Sequence, residues 1–340
     1  MNTEDKVAIT SRSFSANTQL IDELKTRYKN ISLNTSGRTL AGDDLLNFLE
    51  NQNKVIVGLE KFDEALIKQL PNLKVISKFG VGLNNIDLNI MKERSIALGF
   101  KEGTNKQSVA ELALMHILVA LRKVPSSKED ISNTIWSQKK GNELYGKTIG
   151  IIGFGNIGQK LAALLEPFQC SIIFYDNFVF SKEDLQSQFS DRTDSFINNL
   201  EQKSLDEVLT VADIISIHLP LLNETKNLID VNALDKMKDN INIINTSRGG
   251  IVNENALFDF LTKNKNAFAA FDVFLDEPAF NNPLLTLNNF YATSHLGSMT
   301  EEGVLAMGLA AIDGLDENLS LIHISEPTRR YAISYAVFCL

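Results

Sequence analysis

Between Lys6 and about residue 100, short apolar runs alternate with amphipathic segments. Lys6-Val-Ala-Ile-Thr10, Lys54-Val-Ile-Val-Gly58, Lys74-Val-Ile-Ser77 and Ile96-Ala-Leu-Gly99 read as strands, and the stretches near 18–29 and 63–70 read as helices. Strands that alternate with helices form βαβ units, whose strands lie side by side in a parallel sheet. A long helix is predicted from Ser108 to Lys123, with Ser108 as its cap and Glu111 three residues on. From Lys147 the alternation restarts with stronger runs at 148–152, 171–175, 213–218, 242–246, 268–271 and 290–293. Runs that are apolar at nearly every position suit strands covered on both faces, as in a doubly wound sheet. The polar stretch Ser181 to Lys203 breaks the rhythm and reads as an insertion. The pattern predicts an α/β protein built on doubly wound parallel sheets.

Composition narrows the picture. A chain of 340 residues predicts about two domains, with core enough to fold without disulfides. Its 42 acidic and 33 basic side chains leave a net charge of −9, which repels a phosphate backbone, so nucleic acid is not an expected partner. The N-terminus lacks the basic and apolar regions of a signal peptide. The most apolar stretch, Val109 to Leu121, contains Glu111 and His116 and is too short to span a bilayer. A cytoplasmic protein without a membrane partner is expected. Cys170 and Cys339 form no pair or cluster at motif spacing, so no metal is expected, and a reducing compartment fits. The tail 319–340, with Leu319-Ser-Leu-Ile-His-Ile-Ser-Glu-Pro-Thr-Arg329 and Ile333-Ser-Tyr-Ala-Val-Phe-Cys-Leu340, resembles a translated sequencing adapter. Native sequence is therefore expected to end near Asn318.

Candidate chemistry begins at Gly153-Phe154-Gly155-Asn156-Ile157-Gly158, which follows an apolar strand and opens a helix. In that context Gly153 permits a tight turn, Gly155 lets the backbone approach a pyrophosphate, and Gly158 lets helix and strand pack closely. The helix N-terminus attracts the phosphates. Asp176 ends the next strand, 18 residues beyond Gly158, near the spacing of an acid that accepts from the adenosine ribose 2′-hydroxyl. Its carboxylate repels a 2′-phosphate, and Asn177-Phe178-Val179-Phe180 offers no arginine to hold one, so NAD is favoured over NADP.

A nicotinamide enzyme also needs a proton donor and a substrate anchor. His116 lies inside the apolar helix and reads as a core residue, whereas His218 borders the cofactor in the loop His218-Leu219-Pro220. His295, in Ser294-His295-Leu296-Gly297, follows the last strand at the carboxyl edge of the sheet and is the acid–base candidate. Arg248, in Asn245-Thr-Ser-Arg-Gly-Gly250, is placed to bind a carboxylate bidentately. Glu277, in Asp272-Val-Phe-Leu-Asp-Glu-Pro278, can favour the imidazolium of His295.

Together with Gly80-Val-Gly-Leu-Asn-Asn-Ile-Asp87 and Ser108-Val-Ala-Glu-Leu112, these segments resemble the D-isomer-specific 2-hydroxyacid dehydrogenase family. The resemblance implies an Arg–Glu–His catalytic set at Arg248, Glu277 and His295. It implies NAD contacts at Gly153, Gly155, Asn156, Ile157, Gly158, Asp176, His218, Pro220, Thr246, Ser247, Asp272 and Gly297. The amides around Val81 and Gly82 would hold the substrate carboxylate opposite Arg248. Asn84 stands where the family commonly has Asp, and the stretch from Asp176 to Arg248 is long for the family.

The implied architecture is a flavodoxin-like substrate domain (1–102 with 299–318) and a Rossmann NAD-binding domain (103–298), with a cleft between them. The expected reaction moves a hydride between nicotinamide and C2 of a D-2-hydroxy or 2-oxo acid, in a homodimer. The rival readings are formate oxidation, disfavoured by Glu277 where that branch has Gln, and a non-catalytic NAD(H)-sensing protein of the same fold.

Overall fold

The computed structural model describes residues 4–317, so the adapter-like tail lies outside the described residues. The described residues divide into two compact units: one comprises 4–105 together with 298–317, and the other runs from Lys106 to Gly297.

The first unit holds strands β1 (Lys6–Ile9), β2 (Asn30–Leu33), β3 (Lys54–Val57), β4 (Val75–Lys78) and β5 (Ala97–Gly99). They form one parallel sheet in the order β2-β1-β3-β4-β5, the flavodoxin-like winding. Val7 and Ile9 face the helix Thr18–Arg27 through Leu20 and Leu24. The helix Glu301–Asp313 covers the same side with Met307 and Ile312. Two glycines let it sit close: a Cβ on Gly308 would lie 2.2 Å from Leu20 Cδ1, and one on Gly99 would lie 2.2 Å from the Gly314 carbonyl oxygen. Ser77 Oγ donates to the Ala311 carbonyl at 2.6 Å. A buried cation ties down the segment after the helix. Lys54 Nζ lies 3.0 Å from Asp316 Oδ1, 3.3 Å from Asp5 Oδ2 and 3.0 Å from the Tyr28 hydroxyl. Burial pushes that phenol up to about 12.

The second unit holds β6 (Thr148–Ile152), β7 (Ser171–Tyr175), β8 (Leu200–Gln202), β9 (Ile214–Ile217), β10 (Asn242–Asn245), β11 (Phe268–Phe271) and β12 (Phe290–Ala292). All seven run parallel, in the order β12-β11-β10-β9-β6-β7-β8. The order reverses between β6 and β9, the switch point where ligands of doubly wound sheets bind.

Two expectations need correction. The stretch 181–203 is not irregular: it folds as helices Lys182–Gln188 and Asp194–Asn198 and then as β8, which pairs with β7 and completes the sheet's edge. Ser181 opens it with a full capping box to Asp184, so its polar residues are helix caps and solvent faces. Ser108 is not a helix cap either. The helix is Lys106–Leu121 and Ser108 is buried in its first turn, because the chain turns in at Thr104-Asn105 rather than two residues later.

Candidate active site

β6 ends at Ile152 and the chain turns through Gly153, whose φ of +94° favours glycine. A Cβ there would lie 2.6 Å from the His218 carbonyl oxygen, so the first turn of the glycine loop is pressed against the end of β9. A Cβ on Gly158 would come within 2.3 Å of the Gly153 carbonyl oxygen. Gly155 starts the helix Asn156–Leu165 with no side-chain cap, which leaves the first amides, including those of Asn156 and Ile157, facing out for an anion. Asp176 is bound into this loop: its Oδ2 accepts from Phe154 N at 2.7 Å and its Oδ1 from Phe178 N at 2.9 Å. The carboxylate keeps further lone pairs for a ribose.

Two residues that directly follow the adjacent parallel strands β9 and β10 carry orphaned polar atoms among the described residues. Thr246 Oγ1 and His218 Nδ1 are buried without a hydrogen-bond partner, although buried polar atoms are nearly always paired. The glycine cradle, the uncapped helix and these atoms fit a dinucleotide. His218 Nε2 is engaged with Ser216 Oγ at 2.8 Å, and burial pushes the ring down to about 3, so it is neutral and unsuited to donate a proton near neutral pH. Pro220 follows, exposed, and its carbonyl accepts from Thr225 Oγ1 at 2.6 Å.

The loop after β10 carries Thr246, Ser247 and Arg248. Asn245, 1% exposed, shapes it: its Oδ1 accepts from Ser247 N and Oγ, and its Nδ2 donates to the Arg248 carbonyl at 3.0 Å. Asn245 was not singled out as functional in the sequence; a polar residue closing an otherwise apolar strand is the signal. Arg248 Nη1 donates to its own neighbour, the Ser247 carbonyl, at 2.6 Å. Desolvation by burial disfavours its charge, Glu277 supports it, and among the described residues it makes no ion pair within 4 Å. A desolvated guanidinium of this kind is a receptor for an anion.

Glu277 stands on the loop after β11. It accepts from Phe274 N through Oε1 at 3.0 Å and meets His295 Nδ1 through Oε2 at 2.8 Å. Burial works against its ionisation, but the bonds from His295 and Phe274 and the charge of Arg248 outweigh it, so its pKa is lowered. The bond to Glu277 raises that of His295 above the usual imidazole value, against desolvation and against the charge of Arg248. The structure thus brings Arg248, Glu277 and His295 within electrostatic reach of one another.

His295 has φ +58°, a left-handed conformation that costs a non-glycine residue about 1–3 kcal/mol and persists only where its surroundings hold it. Asp272, 1% exposed, does the holding. Its carboxylate accepts from the Thr293 hydroxyl, from Leu296 N at 2.7 Å and from Gly297 N at 2.8 Å, and its carbonyl accepts from His295 N at 3.0 Å. A Cβ on Gly297 would sit 3.2 Å from Asp272 Oδ2 and crowd that carboxylate. His116 is fully buried, and burial pushes it down to about 4, as befits a neutral core residue.

Val81 and Gly82 lie in the first unit, on the loop that leaves β4 through Gly80 (φ +116°). Among the described residues no group of His, Cys, Asp and Glu is arranged to hold a metal, and no helix is long and apolar enough to cross a membrane.

Comparison with known proteins agrees with this geometry. A family model described as the NAD binding domain of D-isomer specific 2-hydroxyacid dehydrogenase matches residues 114–297. Hydroxypyruvate reductase of Thermotoga maritima is 33% identical over 295 residues, covering 85% of this chain and 92% of that one. D-3-phosphoglycerate dehydrogenase of Methanocaldococcus jannaschii is 36% identical over 272 residues, covering 79% of this chain and 50% of the relative, so the chain spans about half the length of such relatives. Among solved structures, NAD+-bound 3-phosphoglycerate dehydrogenase of Entamoeba histolytica superposes with a TM-score of 0.74 at 25% identity, covering 91% of this chain and 93% of that one. The chain belongs to the D-isomer specific 2-hydroxyacid dehydrogenase family, with its NAD-binding domain in the second unit.

Proposed function

We propose that the protein is an NAD-dependent oxidoreductase acting at C2 of a D-2-hydroxy acid or the matching 2-oxo acid, of the hydroxypyruvate, glyoxylate or 3-phosphoglycerate type. The observation that carries the reading is the His295–Glu277 pair at 2.8 Å beside a half-buried Arg248 that makes no ion pair among the described residues, in the unit that matches the NAD-binding model. The glycine loop, Asp176, the Thr246–Ser247 turn and the neighbourhood of His218, Pro220, Asp272 and Gly297 would hold NAD, which when bound would supply the hydride acceptor or donor. Arg248 binds the substrate carboxylate and polarises the C2 oxygen. His295 gives its proton to that oxygen in reduction and takes one in oxidation. The bond from Nδ1 to Glu277 fixes the ring and leaves Nε2 for this exchange. NADH oxidation against glyoxylate, hydroxypyruvate, pyruvate, 2-oxoglutarate and 3-phosphohydroxypyruvate tests the reading: turnover of at least one is expected, and silence across the panel would favour the NAD-sensing alternative.

Glu277→Gln keeps a hydrogen-bonding group but removes the charge that raises His295. Reduction requires the imidazolium and fails as pH rises through the His295 pKa; oxidation requires the neutral ring and appears across the same range. Both limbs are expected to move to lower pH in the variant, and profiles that superpose on the wild type would sink the role given to Glu277.

Asp176→Ala is expected to weaken NAD binding by at least tenfold, the worth of a charge-assisted bond of about 1.5–3 kcal/mol, while leaving NADP binding nearly unchanged. Titration with both cofactors decides, and equal losses refute the assignment.

The homodimer reading rests on apolar side chains that the second unit leaves in solvent: Met115, Val124, Ile131, Ile135 and Trp136, the last 87% exposed. A second copy would cover them. Light scattering should find a dimer that Trp136→Glu weakens; a wild-type monomer would end this reading. A cytoplasmic setting suits Cys170, a buried free thiol raised to about 11 by its burial.

A further inference from the structure

His295 is anchored by Asp272, and Asp272 is in turn anchored from an element far away in sequence. His116 lies at mid-length of the helix Lys106–Leu121, fully buried, with its ring edge-on to Tyr291 at 5.7 Å. Its Nε2 lies 3.3 Å from Thr293 Oγ1, and the Thr293 hydroxyl makes a short bond to Asp272 Oδ1. A threonine has one hydroxyl hydrogen, and an ionised carboxylate can only accept. The hydrogen therefore goes to Asp272, and the Thr293 oxygen accepts from His116. That assignment puts the histidine's proton on Nε2; among the described residues Nδ1 has no hydrogen-bond partner, and the Ala270 carbonyl also favours a ring proton. The relay His116→Thr293→Asp272 ends on the carboxylate that gathers Leu296 N and Gly297 N immediately after the strained turn at His295.

We infer that His116 and Thr293 are positioning residues for proton transfer: they fix the Asp272 carboxylate, and through it the left-handed backbone that aims His295. The inference rests on the reading of His295 as the acid–base group. Without the His116 donor, Thr293 can turn its hydroxyl away from Asp272, the carboxylate gains freedom to shift, and the His295 loop follows it. A displacement well under an ångström at the proton donor acts on kcat more than on KM, because Arg248 and its own loop are untouched by the relay.

The test measures kcat, KM and NADH affinity for four variants, with His295→Ala as the control. His116→Leu fills the space without a donor, and His116→Gln offers an amide N–H near the Nε2 position. Thr293→Val removes the hydroxyl in an isosteric shape, and Thr293→Ser retains it. The expected result is a fall in kcat of about tenfold in His116→Leu and Thr293→Val, with KM and NADH affinity within about twofold of wild type. His116→Gln and Thr293→Ser should recover most of the rate. Full kcat in Thr293→Val overturns the inference, and so does a fall in kcat that His116→Gln does not relieve, since lost packing alone would then account for it. Thr293→Val keeps the question open to refutation even if the buried His116 variants fold poorly. His295→Ala separates the two levels. Loss of turnover there with full kcat in the relay variants defeats this inference alone, while retained turnover there defeats the acid–base reading on which it stands.

Discussion

Replacing His295 with Ala should lower kcat by about 10²–10⁴-fold, the usual worth of a positioned general acid, and leave NADH affinity nearly intact. Two features of the structure set that expectation. The bond to Glu277 raises the pKa of the ring, so more of the protonated donor is present at a given pH than on an ordinary imidazole. The other two described histidines cannot substitute, since burial lowers His116 to about 4 and His218 to about 3 and both are engaged elsewhere. Steady-state turnover of the best substrate in the panel, alongside a fluorescence titration with NADH, measures both halves. Undiminished turnover would remove His295 from the chemistry, and a large loss of NADH affinity would show that the residue serves the cofactor instead.

The second large effect is expected from Gly249→Ala. This glycine adjoins Arg248, and an added Cβ would lie 2.0 Å from the carbonyl carbon and oxygen of Phe274. Both are main-chain atoms, so no side chain can swing aside, and one of two loops must move. Phe274 is the residue whose N–H holds Glu277, which means that a push from Gly249 separates Arg248 from the Glu277–His295 pair. Overpacking of this kind costs about 1–3 kcal/mol or more. A misplacement near 1 Å in a catalytic constellation costs about a hundredfold in rate. Thermal unfolding should show the first and kcat/KM the second; a variant with native stability and native kcat/KM would mean the loops do not touch in solution.

Much of this was legible in the sequence, for a physical reason. Strands β6, β7 and β11 begin and end where the apolar runs do, because central strands of a doubly wound sheet are buried on both faces and announce themselves without a partner in view. Two of the four edge strands carry no such mark. Asn30-Ile-Ser-Leu33 and Leu200-Glu-Gln202 are short, half polar and paired on one side only, and neither was predicted. The triad could be placed because each member follows a strand at the sheet's carboxyl edge, where topology alone gathers side chains. What holds the triad in place was not visible. Asn245 acts on residues two and three positions on, and Asp272 acts on residues more than twenty positions on. His116 meets Thr293 across 177 positions, a pairing that only the folded chain creates.

The discontinuous first unit has a consequence for how the molecule is made. Its sheet is encoded within the opening hundred residues, yet the helix that shields Val7, Ile9, Leu20, Leu24 and Phe79 lies at Glu301–Asp313. The second unit, from Lys106 to Gly297, is contiguous and can close as soon as its last strand leaves the ribosome. Throughout that interval one apolar face of the earlier sheet has only the helix Thr18–Arg27 over it, and Lys54 lacks the carboxylate of Asp316. The unit translated first is the last to be completed, and the nascent chain depends on whatever shields that face in the meantime.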